Sequence, residues 1–213
     1  MKKIFIFDYD GVIVDSLDIF ATNFLKACKK ENVNEISTTQ DFLSIYNNNM
    51  YKAMFNMGMS KEKVLRIVTY MKKAILSERE NIKLFPNIKE TIQKLSKNNR
   101  LHIVTSSDTK LVTDFLKMYH LNTYFESVIG SDQEPSKTKK ILSIIENHAE
   151  KDCFYIGDTV GDILEGKKAE IKTVAVTWGW HKEEQLSQSN PDFLMNKPKE
   201  LLTLSHVRKE KIV

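Results

Sequence analysis

Glycine and proline are scarce, at seven and four residues in a chain of 213. That excludes collagen-like and linker-rich architectures and leaves a chain built mostly of regular elements. Only two cysteines occur, Cys28 and Cys153, far apart and without metal-ligand spacing. They exclude a disulfide scaffold and a cysteine-based zinc module, and read as two reduced, partly buried thiols. No apolar run approaches the length of a membrane span. The run Ile4-Phe5-Ile6-Phe7 follows two lysines but stops at Asp8, too short for the core of a secretion signal. The expectation is a cytoplasmic protein without a membrane partner. Lysine and arginine exceed aspartate and glutamate by 32 to 28, yet they are scattered along the chain. No basic stripe with interleaved aromatics is present, so no nucleic-acid partner is expected.

What is present is the composition of a globular protein, 41% apolar and 28% charged, long enough to bury a sizeable core. Short apolar runs at 4–7, 101–105, 128–130, 153–157 and 173–176 read as strands buried on both faces. Between the later runs lie helical patterns at 88–95, 111–118, 137–148 and 162–169, and a last helix is expected at 197–206. Strands alternating with helices at this pace give an α/β fold, a parallel sheet with helices on both faces. From Ser16 to about Leu84 the periodicity is helical throughout, with Leu17, Phe20 and Phe24, then Val64, Ile67, Val68 and Met71, on apolar faces. Asn47-Asn48-Asn49 and Gly58 break this stretch, and Pro86 suits the first turn of the helix after it. The expected organisation is a Rossmann-like core from 1–15 and 85–213, with an α-helical cap domain inserted at 16–84.

Asp8-Tyr9-Asp10-Gly11 ends the first strand, and in an open α/β sheet ligands bind beyond the carboxyl ends of the strands. Two carboxylates crowded there call for a cation, and oxygen ligands suit Mg²⁺. A calcium-binding EF-hand loop does not fit, because its glycine and terminal glutamate are missing at the required offsets. A solvated turn is the plainer alternative for the motif alone. Leu101-His102-Ile103-Val104-Thr105-Ser106 is an apolar strand ending in hydroxyl residues. Pro135-Ser136-Lys137-Thr138 opens a later helix, with Lys139 and Lys140 as rivals to Lys137. Gly157-Asp158-Thr159-Val160-Gly161-Asp162 follows the strand at 153–157 and can also be read as a capped helix start. Trp178-Gly179-Trp180-His181 reads as Trp178 packed on the core, Gly179 in a turn, and His181 at the surface.

Those four segments, in this order and each at a strand end or helix start, resemble the four motifs of the haloacid dehalogenase superfamily. The similarity spans essentially the whole chain and is nearest to phosphoglycolate-phosphatase-like members, whose helical cap follows the first motif. Asn87 and Glu170 depart from glycines common in that family. The resemblance implies a Mg²⁺-dependent phosphatase acting on a small phosphorylated metabolite such as phosphoglycolate, a sugar phosphate or a nucleotide monophosphate. Asp8 would be the nucleophile that forms an aspartyl-phosphate, and Asp10 the general acid and then base. Thr105 and Lys137 would complete the catalytic set, with Ser106 and Gly11 binding substrate. Asp8, Asp10 (through its main-chain carbonyl), Asp158 and Asp162 would hold the metal, Asp162 either as a ligand or as an orienter of Asp158. A sugar-phosphate mutase and a non-catalytic phospho-ligand-binding regulatory protein are the alternatives, and a monomer or homodimer is expected.

Overall fold

The computed structural model describes residues 2–47, 49–150 and 152–205. The chain enters through strand β1 (Ile4–Phe7), every residue of which is buried. It turns into the two-residue strand β2 (Val14–Asp15) and then runs through four helices. These are α1 (Leu17–Lys30), α2 (Thr39–Ser44), α3 (Met50–Asn56) and α4 (Lys61–Glu78), and strand β3 (Lys83–Leu84) closes the excursion. From there helices and strands alternate. The order is α5 (Ile88–Leu95), β4 (Arg100–Val104), α6 (Thr109–Met118), β5 (Ser127–Ile129), α7 (Lys137–Glu146) and β6 (Cys153–Gly157), then α8 (Val160–Lys168), β7 (Lys172–Val176), α9 (Glu183–Gln188) and β8 (Phe193–Met195).

Six strands form one sheet in the order β5-β4-β1-β6-β7-β8, and every pairing in it is parallel. β1 lies between β4 and β6, which explains its unbroken apolar run. A strand's side chains alternate between the two faces of its sheet, and both faces are covered here. Phe5, Phe7, Ile103 and Phe154 pack with Ile88 and Ile92 of α5 and Phe115 of α6. Ile4, Ile6, Val104 and Tyr155 pack with Ile141 and Ile144 of α7 on the other side. The fold is therefore the α/β, Rossmann-like arrangement that the alternation implies.

Helix starts follow local chemistry. Thr38 caps α2 and Thr159 caps α8, each in a reciprocal box with the aspartate three residues on. Ser60, Asp108 and Ser136 cap α4, α6 and α7 through their side chains. α5 differs from the expectation. Its N-cap is Asn87, at φ 66°, so Pro86 lies outside the helix rather than in its first turn.

The excursion between β2 and β3 is helical, and α1 packs against α4. Its entry and exit are tied together, because β2 and β3 pair antiparallel with Val14 opposite Leu84 and Asp15 opposite Lys83. Two residues per strand carry too little pattern to be read from sequence. The expected helix at 197–206 is a 3₁₀ helix at Pro198–Ser205, and its last expected residue, His206, lies outside the described residues.

Candidate active site

Asp8 and Asp10 stand just past the carboxyl end of β1, and Asp158 just past that of its neighbour β6. Lys137 opens α7 and Asp162 sits in the first turn of α8. Thr105 follows β4. All six are buried, so burial and mutual charge govern their chemistry.

Lys137 is the hub. Its Nζ donates to Asp8 Oδ2 at 2.7 Å and to Asp162 Oδ1 at 2.6 Å. Burial pulls its pKa down, but the Asp162 and Asp8 carboxylates outweigh that and hold it well above the usual lysine range. Of the two rival lysines, Lys139 is exposed. Lys140 is buried, and its Nζ donates to the Thr105 carbonyl at 2.5 Å rather than to a carboxylate. Burial, reinforced by the Lys137 charge, lowers its pKa to about 8.

The four aspartates are in different electrostatic states. Burial pushes Asp8 up to about 7 against the pull of Lys137. Asp10 is raised by burial, while Ser107 and Ser16 hydroxyls donate to its two oxygens at 2.7 and 2.9 Å and hold it back. Asp162 is held low despite burial, because Lys137, the Thr159 hydroxyl and the Tyr155 hydroxyl stabilise its charge. Both its oxygens have partners: Oδ1 accepts from Lys137 and Tyr155, and Oδ2 from the Thr159 amide and hydroxyl. Asp158 is the opposite case. Burial and the negative charges of Asp162 and Asp8 drive its pKa well above the usual range. Its Oδ2 accepts from the Trp180 amide at 2.8 Å, and its Oδ1 is buried with no partner.

A buried orphaned oxygen of this kind is expected where an ion is to be seated. Carboxylate oxygens of Asp8, Asp158 and Asp162 lie within 4.8 Å of one another, close enough to share one cation. The donor set is all oxygen and fits Mg²⁺.

Two glycines make room for Asp158. Gly11 has φ 76°, and a Cβ there would lie 1.9 Å from Asp158 Oδ2. At Gly179 a Cβ would fall 2.3 Å from Asp158 Cβ and 2.4 Å from the Gly11 carbonyl. Gly179 is thus required by close approach as well as by its turn.

The candidate site opens into a cavity of about 340 Å³ lined by Asp8, Asp10, Thr105 and Lys137 at one end. The wall beyond is largely apolar, with Phe20, Val68, Met71 and Ile75 from α1 and α4 and Leu111 and Trp180 from the core. Ser106 lines it as an exposed residue, and Met50 and Tyr46 face it from the helical excursion.

The segment after β7 departs from the sequence reading. Trp178 is partly buried and its Nε1 donates to the Val12 carbonyl at 3.1 Å. Trp180 is the more deeply buried of the pair, and its ring contacts Phe20, Phe42 and Tyr46. His181 is not a surface residue but 1% exposed. Its Nδ1 accepts from the Val160 amide, which leaves Nε2 as the donor to the Leu43 carbonyl, both at 3.1 Å. Ser16, Ser107, Tyr155 and Gly179 likewise gain site roles that sequence reasoning did not assign. Thr159 could have been found, since Thr159-Val160-Gly161-Asp162 has the spacing of a capping box.

Comparison with known proteins agrees with this arrangement. The family of haloacid dehalogenase-like hydrolases matches residues 5–176. A phosphoglycolate phosphatase of Aquifex aeolicus is 29% identical over 95% of this chain and 96% of its own. One from Vibrio parahaemolyticus is 32% identical over 56% of this chain, a stretch that spans about half (55%) of that relative. A pyrophosphatase PpaX of Listeria innocua is 25% identical over 93% of this chain and 94% of its own. Among solved structures, a haloacid dehalogenase-like hydrolase from Streptococcus pneumoniae superposes with a TM-score of 0.78 at 26% identity, covering 95% of this chain and 97% of that one. Among the described residues no helix is long and apolar enough to cross a membrane. Motifs, sheet order, buried site and relatives converge: the chain belongs to the haloacid dehalogenase-like hydrolases and resembles their phosphoglycolate-phosphatase-like members.

Proposed function

We propose that the protein is a Mg²⁺-dependent phosphatase that hydrolyses a small phosphorylated metabolite through an aspartyl-phosphate on Asp8. The observation that carries this reading is the buried set of Asp8, Asp10, Lys137 and Asp158 lining one cavity. Asp8 and Asp158 would hold the metal, joined by the main-chain carbonyl of Asp10. Asp162, whose oxygens are taken, would chiefly anchor Lys137. When bound, Mg²⁺ would supply positive charge that keeps the carboxylates ionised and neutralises phosphoryl oxygens.

The residues divide the reaction into two displacements. An Asp8 oxygen attacks phosphorus while the ester P–O bond breaks, and the Asp10 carboxyl gives its proton to the leaving oxygen. A water then attacks the phosphorus of the aspartyl-phosphate. Asp10, now a carboxylate, takes the water's proton as the P–O bond to Asp8 breaks and phosphate leaves. Burial that raises Asp10 favours the protonated form needed at the start. Lys137 and the Thr105 hydroxyl would stabilise charge on the phosphoryl oxygens. Residues 16–84 would act as the cap, excluding water and reading the rest of the substrate.

The cavity's apolar wall favours a monoester with a body larger than a two-carbon acid. Basic Lys72, Arg79 and Lys110 also line it and would attract an anionic substrate. The test is phosphate release from phosphoglycolate, pyrophosphate, sugar phosphates and nucleoside monophosphates, with and without Mg²⁺, beside Asp8→Asn. Metal-dependent release that vanishes in Asp8→Asn is expected. Release that persists undiminished in that variant would overturn the mechanism.

A further inference from the structure

A second polar cluster lies away from the aspartates, on the α7 side of the sheet. His102 is in the middle of β4 and shares its face with Val104, which packs under α7. Glu126 immediately precedes β5, where Ser127 pairs with His102, and His148 follows the end of α7. None of the three lines the active-site cavity.

The ring nitrogens are arranged as metal ligands are. His148 Nδ1 lies 2.8 Å from the Ile144 carbonyl, which can only accept, so Nδ1 is the donor there and Nε2 is the ring nitrogen left to face the cluster. His148 Nε2 is 3.5 Å from Glu126 Oε2. His102 Nδ1 is 2.9 Å from the Ser127 hydroxyl, and its Nε2 is 3.9 Å from the same Glu126 oxygen. His102 is 2% exposed, and its Nε2 is buried without a hydrogen-bond partner. An orphaned imidazole nitrogen beside a carboxylate and a second imidazole nitrogen is a place where an ion can be seated. Metal-bound histidines are commonly held by the other ring nitrogen donating to a carbonyl, as His148 Nδ1 does to Ile144, and the Ser127 hydroxyl can accept from His102 Nδ1 in the same manner.

Geometry and charge fit a single ion. Two imidazoles and one carboxylate around tetrahedral Zn²⁺ place ligand atoms about 3.4 Å apart, from bonds of about 2.0–2.1 Å. The two measured spacings need only small closing movements, and all three atoms lie within 4.8 Å. Arg100 fixes Glu126 through NH1, at 2.9 and 3.1 Å, and is itself held by Glu150. That orients the carboxylate, and the second glutamate offsets the Arg100 charge beside an incoming cation. Glu126 is exposed, so the fourth position is open to water.

We propose that His102, Glu126 and His148 form a second metal site, for a divalent transition ion of the Zn²⁺ type, distinct from the carboxylate centre. Nitrogen ligands select against Mg²⁺, which prefers oxygen.

The test titrates chelator-treated full-length protein with Co²⁺, followed by Zn²⁺, in excess Mg²⁺, reading visible Co²⁺ absorption and the unfolding temperature. One equivalent bound in both the native protein and Asp8→Asn is expected, displaced by Zn²⁺. Loss of even an outer partner of a metal ligand weakens binding about 10–100-fold, so Glu126→Ala and His148→Ala should weaken it at least that much. His148 is partly exposed, so its variant is expected to fold, and a normal unfolding temperature without metal would verify it. Absence of Co²⁺ binding in excess Mg²⁺, or binding that survives His148→Ala and Glu126→Ala unchanged, would overturn the proposal.

Discussion

Replacing Asp158 by Asn should stabilise the metal-free protein while removing its response to Mg²⁺. The substitution keeps the shape, and the Asn carbonyl oxygen can still accept from the Trp180 amide as Asp158 Oδ2 does. Its amide nitrogen would occupy the place of the orphaned Oδ1, turning an unpaired acceptor into a donor near Asp8 and Asp162. Two carboxylates within 4.8 Å of each other repel by at least about 3.5 kcal/mol at an effective dielectric of about 20. Asp158 meets two such neighbours, with Lys137 offsetting part, so without metal it takes up a proton instead. That uptake limits the penalty. A carboxyl protonated in the fold but ionised in the unfolded chain lowers stability by at most about 4 kcal/mol at pH 7 and at most about 1.5 kcal/mol at pH 5. The sign follows from the raised folded-state pKa: the loss begins above the unfolded value near 3.8 and grows with pH. Urea unfolding in EDTA should therefore show a gain for Asp158→Asn of about 1–4 kcal/mol at pH 7, shrinking towards pH 5. Mg²⁺ at a hundred times its dissociation constant should add about 2.7 kcal/mol to the native protein and far less to the variant. A variant less stable in EDTA, a gain that grows as pH falls, or an undiminished Mg²⁺ effect would refute this reasoning.

Three further outcomes are expected. Lys137→Ala should lower kcat for phosphate release by about 10²–10³-fold, the scale of losing one transition-state donor, whereas Lys139→Ala should leave it near normal; equal losses would remove Lys137 from the site. Ser107→Ala deletes a hydrogen bond that lowers the Asp10 pKa, so the alkaline limb of the pH–rate profile should move to higher pH. An unmoved limb would show that Asp10 is not the acid. Gly179→Ala forces a Cβ against Asp158 and the Gly11 carbonyl, and calorimetry should show loss of Mg²⁺ binding or of folding, while wild-type Mg²⁺ affinity would contradict the packing.

The central strands were legible because burial on both faces leaves an unbroken apolar run, as in Ile4–Phe7 and Cys153–Gly157. The acidic motifs were legible because each follows such a run directly. β8 escaped although β5, equally short and half-buried at the opposite edge, was read. Asn87 and Glu170, the two departures from family glycines, both adopt positive φ, at 66° and 57°. The backbone has kept the left-handed turn although the residue that suits it best is gone. Ser107 could not be linked to Asp10 beforehand, since 97 positions separate them and a serine after a strand has no distinctive pattern. His181 was misplaced for a related reason. A lone histidine after a Trp-Gly-Trp segment looks like a surface loop until the Leu43 carbonyl and the Val160 amide arrive from elsewhere.

The join between Trp180-His181 and the helical excursion bears on how such enzymes diversify. Trp180 anchors Asp158 by its amide while its ring is embedded among Phe20, Phe42 and Tyr46. Its neighbour His181 grips Leu43. A chimera that exchanged only residues 16–84 for those of a relative would leave an indole without its aromatic nest and an imidazole without its carbonyl. Recombination at the β2–β3 ribbon is topologically simple, yet it would carry the defect straight to Asp158, a carboxylate of the candidate site. Exchange of inserts should therefore succeed only when the segment after β7 travels with them, making two distant stretches of sequence one unit of inheritance.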